Sequence, residues 1–153
     1  MLRLTILAVG KCRGTAYEAL VADYTRRFTF PVAVHEIDER KPMTAAQLRH
    51  RETTLLIEKI PSGAYTVALD PRGKTFSSED IANFLRQRQE DGTRDVAFLI
   101  GGADGLTDEA LTVARLRLSF GSMIWPHLLA RVMLVEQLYR AQQILIGHPY
   151  HRG

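Results

Sequence analysis

The stretch "LIGGADGL", residues 99–106, sets Gly101, Gly102 and Gly105 directly after an apolar run, with Asp104 among them. Glycines at this density let a backbone take positive φ and approach a ligand closely. The order lacks the G-x-G-x-x-G of dinucleotide folds and the Lys-Ser/Thr ending of a phosphate loop. Asp104 would repel a phosphate at the start of the helix that follows, so a neutral or cationic ligand is favoured. The other reading is that the glycines only permit positive φ and close helix–sheet packing. A second stretch, "FGSMIWPH" at residues 120–127, is too apolar for an ordinary exposed turn. Gly121 permits close backbone approach, and Met123, Ile124 and Trp125 would wall a flat aromatic group such as an adenine. A buried crossover packed against the core is the alternative.

Other reactive residues carry less. Cys12 stands between Lys11 and Arg13, which would lower its pKa, but it has no evident base partner. His127, after Pro126 at a helix start, reads as structural. His148 and His151 have no companion cysteine or nearby carboxylate, so no metal site is expected. The absence of a G-x-S-x-G elbow excludes an α/β-hydrolase. In the last helix, Arg131, Glu136 and Arg140 interrupt an apolar stripe of Val132, Val135, Leu138 and Tyr139. Charges buried there need partners, for instance across a subunit interface. After Glu136 the chain has no further acid, while Arg140, His148, His151 and Arg152 follow, either as a solvated tail or as a nucleic-acid contact.

The frame that must hold these residues is an ordinary globular one. A chain of 153 residues reads as one domain, 1–153, burying about two thirds of its unfolded surface. Hydrophobic content of 46% and charged content of 24% are those of a globular protein, and a net charge of +3 is compatible with nucleic acid without demanding it. No apolar run approaches a membrane span, and "TILAVG" near the start is strand-like rather than a signal peptide. A single cysteine excludes an internal disulfide, which fits a cytoplasmic location.

Strand and helix signals alternate along the chain. Strands are expected at residues 4–9, 32–37, 65–69, 96–100 and 116–120. The first helix carries Tyr17, Leu20, Val21, Tyr24 and Phe28 on one face. The second opens on a Thr44–Gln47 capping box and stops at Gly63. "DPRG" at 70–73 reads as a turn, Ser77 or Ser78 caps a third helix, and Thr107 caps a fourth. Pro126 introduces a long helix over 128–146, ended by Gly147. This alternation predicts an α/β fold, a mainly parallel sheet with helices on both faces. Ligands in such folds bind beyond the carboxyl ends of the strands, here the loops after Leu69, Ile100 and Leu118.

Taken together, "LAVGK" at 7–11, "YTRRF" at 24–28, "LIGGADGL", "LSFGSMIWPHLLARVMLVEQLYRA" and the final "HPYHR" resemble the bacterial RlmH family over essentially the whole chain. The resemblance implies a SPOUT methyltransferase with a C-terminal trefoil knot, acting as a homodimer. The reaction it implies is methylation of a pseudouridine at N(3) in 23S ribosomal RNA, on the ribosome, by S-adenosylmethionine. It places the cofactor on Leu69, Gly101, Phe120, Gly121, Ser122, Met123, Ile124 and Trp125. Ile124 stands where many relatives carry threonine, so a hydroxyl contact there falls to Ser122. His148, Tyr150 and His151 are then candidates to orient the base or take its proton, and Arg131, Arg140 and Arg152 to hold RNA. A non-catalytic RNA-binding, ribosome-associated module is the competing reading.

Overall fold

The structure, a computed structural model, describes residues 2–152. Its elements are β1 (Arg3–Val9), α1 (Ala16–Thr25), β2 (Val32–Ile37), α2 (Ala45–Glu58), β3 (Tyr65–Thr75), α3 (Ser78–Glu90), β4 (Asp95–Ile100), α4 (Asp108–Val113), β5 (Leu116–Ser119) and α5 (His127–Leu145). The strands form one sheet in the order β2-β1-β4-β3-β5, and every pairing is parallel.

Period-two alternation sends successive side chains of β1 to opposite faces. Leu4, Ile6 and Ala8 join α1, α3 and α5 in one core, where Leu134, Val135 and Leu138 meet Ile81 and Leu85. Leu7 and Val9 join Leu56 of α2 and Ala110 and Leu111 of α4 in the other. β4 is buried along its whole length, as a central strand covered on both faces must be. Both capping boxes form, Thr44 with Gln47 and Ser77 with Asp80. The first position of α5 follows Pro126 with no side-chain cap. That helix is held by packing instead, since each large apolar side chain it buries contributes about 1.5–3 kcal/mol. Its other end is a Schellman motif: Gly147 at φ +74°, His148 N donating to Gln143 O, and Gly147 N donating to Ile144 O.

Three local expectations are corrected. "DPRG" is not a free turn: β3 runs on to Thr75, with a break in register between Leu69 and Lys74. Gly73 is required inside that break, because a Cβ there would lie 2.5 Å from Arg117 O. β5 ends at Ser119, so Phe120 belongs to the loop. Thr107 occupies the first position before α4 but makes no capping bond.

Candidate active site

The register break of β3 and the carboxyl ends of β4 and β5 enclose a cleft of about 310 Å³. Leu69, Asp70 and Pro71 come from β3, Ile100 from the end of β4, residues 101–105 from the loop after it, and Phe120, Gly121, Met123, Ile124 and Trp125 from the segment after β5. His127 and Ala130 of α5 close it.

The glycine loop folds back on itself. Gly102 and Gly105 form an isolated antiparallel bridge, and Gly105 takes φ +76°. A Cβ on Gly101 would lie 2.6 Å from Gly105 C and 2.9 Å from Leu106 N. The first requirement for Gly101 is therefore the loop's own closure, which in turn presents a compact backbone edge to the cleft. Negative charge gathers around it. Glu52 lies by Gly102, and its carboxyl is pushed up by burial and then by Asp104 and Asp38. Such a rim disfavours phosphate.

The segment after β5 supplies the apolar wall. Met123 is 68% and Ile124 92% exposed, while Trp125 donates its Nε1 to Phe120 O at 3.3 Å. Ser119 ties two cleft loops together: its hydroxyl lies 3.0 Å from Pro71 O and accepts from Gly121 N at 3.0 Å. On the other side of Phe120 and Gly121 runs a larger groove of about 560 Å³, bounded by Tyr24, Thr75, Val132, Met133 and Glu136 among others.

Glu136 connects that groove to the C-terminal segment. Tyr150 OH donates to Glu136 Oε1 at 3.1 Å, and the Tyr150 ring packs edge-on against Tyr139 at 4.9 Å. Arg140 donates to Glu136 Oε1 at 3.0 and 2.6 Å and stacks on Tyr150. His151 Nε2 lies 2.7 Å from Glu79 Oε1, and its Nδ1 lies 3.2 Å from Arg140 Nη1. His148 Nδ1 accepts from Tyr150 N at 3.1 Å. Burial and the bonds to Tyr24 and Glu136 push the Tyr150 phenol well above its ordinary pKa.

Residues 2–151 match the family described as Predicted SPOUT methyltransferase. The chain is a SPOUT methyltransferase. It is 48% identical over 151 residues to Ribosomal RNA large subunit methyltransferase H of Paramagnetospirillum magneticum, covering 99% of both chains. To the protein of the same name from Rhodospirillum centenum it is 46% identical over 152 residues, covering 99% of this chain and all of that one. It belongs to their family. Among solved structures, a probable methylase family protein from Haemophilus influenzae aligns with a TM-score of 0.57 at 10% identity, over 99% of this chain and 70% of that one, a likeness of fold alone.

In this methyltransferase the positions expected from sequence separate. Leu69, Gly101, Phe120, Gly121, Met123, Ile124 and Trp125 all line the cleft, but Ser122 does not, so neither it nor Ile124 offers a hydroxyl there. Arg131 is not on the surface: its side chain is 1% exposed and pairs with Glu36, while Nη2 donates to Gly10 O at 2.9 Å and Val9 O at 3.2 Å. No phosphate reaches it. Arg140 is held by Glu136, and Arg152 alone of the three is exposed without an ion pair among the described residues. Cys12 is also corrected: burial and Glu36 push its thiol up, outweighing Arg131. Asp70 and His127 were missed as cleft residues. His127 packs against Gly10, where a Cβ would meet its Nε2 at 2.9 Å, and burial followed by Arg131 holds its pKa below 6.5. Asp70 and His127 both lie in segments that the strand order places at the ligand edge, but the turn reading of "DPRG" and the structural reading of His127 leave the two side chains themselves unnamed as site residues. Among the described residues no group of three or more His, Cys, Asp or Glu is arranged to hold a metal, and no helix is long and apolar enough to cross a membrane.

Gly101→Val tests the loop. The branched side chain must open the Gly101–Gly105 closure, so cofactor affinity is expected to fall by at least about 100-fold. Overpacking of this kind destabilises by roughly 1–3 kcal/mol, less than the stability of a typical domain. Calorimetry reads the affinity and circular dichroism the fold; unchanged affinity would reduce the loop to a packing feature.

Proposed function

We propose that this chain methylates N(3) of a pseudouridine in 23S ribosomal RNA from S-adenosylmethionine, with the assembled ribosome as substrate, as a homodimer in the cytoplasm. The observation that carries the reading is the cleft itself: apolar walls, a tight glycine backbone and an acidic rim with no phosphate-binding feature. S-adenosylmethionine has no phosphate and supplies, when bound, a methyl group on a positively charged sulfur. Met123, Ile124 and Trp125 would hold its adenine, and Leu69 and the Gly101 backbone would bound the rest. A dinucleotide or flavin enzyme would need phosphate donors where this chain has acids.

The neighbouring groove is of a size for one nucleoside and shares Phe120 and Gly121 with the cleft. We assign the target base to it, with the C-terminal segment at its far end. Holding the base in line is the larger lever, worth about 7–11 kcal/mol, against about 10²–10⁴-fold for proton removal. Tyr150, held protonated, serves as a positioning group. His148 and His151 are the candidates to orient the base or take its proton; His151 is engaged on both ring nitrogens, whereas His148 Nε2 has no partner among the described residues. Arg152 is the exposed cation for phosphate.

The exposed Leu20, Met123, Ile124 and Trp125 support a partner surface made by a second copy of the chain. Light scattering is expected to give twice the mass of one chain, and a stable monomer at working concentrations would remove the dimer. We also assign the whole chain, 1–153, to one domain, with the segment after β5 threaded as the trefoil knot of the family. After edge strand β5 the chain crosses back so that Arg131 reaches the end of β1, a path compatible with threading. The function is tested by mass spectrometry of rRNA from cells lacking the protein: one pseudouridine should lose a methyl group and regain it on complementation. A protein that binds ribosomes but no cofactor would be the non-catalytic RNA-binding module instead.

A further inference from the structure

Asp70 stands where β3 leaves its regular register, between Leu69 and Lys74, and it lines the cleft. It is 6% exposed, yet only one of its carboxylate oxygens is used. Oδ1 accepts from Arg72 N and Arg72 Nε, both at 3.3 Å, whereas Oδ2 is buried with no partner. The Arg72 side chain is 71% exposed, so its charge is largely spent on solvent. A buried carboxylate oxygen without a donor is unfavourable unless something arrives to pair with it. A hydroxyl would fill the lone pair and leave the charge; a cation answers both.

We infer that Asp70 reads the positive charge on the methionyl half of the bound cofactor. This rests on the proposed function, since it takes S-adenosylmethionine as the ligand. The ligand's cations, the sulfonium and the α-ammonium, both lie in that half, and its adenosyl half is neutral. If the sulfonium is the partner, Asp70 also discriminates donor from product, because the sulfur is uncharged once the methyl group has gone. In that case Asp70 is a specificity-determining residue that favours entry of the donor and exit of the spent cofactor; with the α-ammonium as partner it holds the methionyl end of both.

The test compares three ligands by calorimetry on the full-length protein: S-adenosylmethionine, S-adenosylhomocysteine and 5′-methylthioadenosine, which has the ribose and a neutral sulfur but no methionyl half. Asp70→Asn keeps the shape and an acceptor for Arg72 N while removing the charge. A charge-assisted contact is worth about 10- to 100-fold in affinity. A loss of that size for S-adenosylmethionine alone identifies the sulfonium as partner; an equal loss for S-adenosylhomocysteine with methylthioadenosine unchanged identifies the α-ammonium. Either supports the inference. A matching loss for methylthioadenosine overturns it in favour of a ribose contact or simple packing, as does no change for any ligand. Asp70→Ser, a smaller neutral acceptor, takes the place of Asp70→Asn if that variant fails to fold by circular dichroism. Wild-type protein that binds none of the three would sink the proposed function as well, whereas wild-type binding with an unmoved variant sinks only the role of Asp70.

Discussion

Truncation after Gly147 is expected to leave S-adenosylmethionine affinity nearly unchanged and to lower methylation of unmodified ribosomes by at least about 100-fold, the scale of lost positioning and proton transfer. The segment removed contains Tyr150, which meets the groove at Glu136, and His151, which meets Arg140 one turn further along α5; neither lines the cleft. At about 1.5 Å of rise per residue, α5 separates His127 in the cleft from Arg140 by about 20 Å. A cofactor bound among the cleft loops therefore loses no wall. The same truncation removes the bond from His148 N to Gln143 O and the bridge from His151 to Glu79, so the end of α5 frays, at a cost of about 0.5–1.5 kcal/mol per lost bond. Circular dichroism and light scattering separate that effect from lost chemistry. Full turnover by the truncated protein would take the segment out of the active site. Loss of cofactor binding as well would make it a folding or assembly element. Tyr150→Phe keeps the ring against Tyr139 and removes only the hydroxyl with its bonds to Glu136 and Tyr24, so a large rate loss there assigns the hydroxyl a positioning role. His151→Ala with its rate retained excludes that imidazole as the base.

Replacing Arg131 by Leu is expected to destabilise the protein by about 3 kcal/mol, the lower end of what breaking a buried ion pair costs. The lower end applies because the Glu36 side chain remains 29% exposed and keeps its bond from Cys12 N at 2.8 Å. In a chain of this size the midpoint of thermal unfolding should fall by roughly 6–12 °C. Arg131→Lys keeps the charge but not the fork that reaches Glu36, Gly10 O and Val9 O together, so it should fall between the two. The pair also leaves a pH signature. Burial pushes the Glu36 carboxyl up, but the bonds from Cys12 N and Arg131 outweigh it, and the net pKa lies below 4.5. A lowered folded pKa contributes stability that is complete above the unfolded value of 4.5 and is lost as pH falls through the folded one. The Leu variant should lose less stability than the wild type over that acid range. Were Arg131 an RNA contact instead, its replacement would leave the unfolding midpoint unmoved and weaken ribosome binding.

Much of the fold was legible in residues close together along the chain. The alternation of Leu4, Ile6 and Ala8 against Leu7 and Val9 names both faces of β1, because strand geometry repeats every two residues. Thr44 with Gln47, and Gly147 after the last helix, announce helix ends through bonds that span only a few residues. The alternation of strands and helices implied a parallel sheet, and with it the loops that would meet at one edge. Seven of the eight cofactor positions, carried by resemblance, line one cleft at that edge. What remained hidden depends on partners distant in sequence. Strand β5 pairs with β3, so whether "DPRG" turns or continues is decided by Arg117 and Leu118. Arg131 looked like an RNA contact because nothing near it in the chain neutralises it; Glu36, 95 residues earlier, does so only after β1 and β2 have paired. Asp70 acquires a buried, unpartnered oxygen only when the break in β3 meets the ends of β4 and β5. The periodicity of short segments states which side of an element is buried, whereas the fate of a charge depends on what the sheet order places against it.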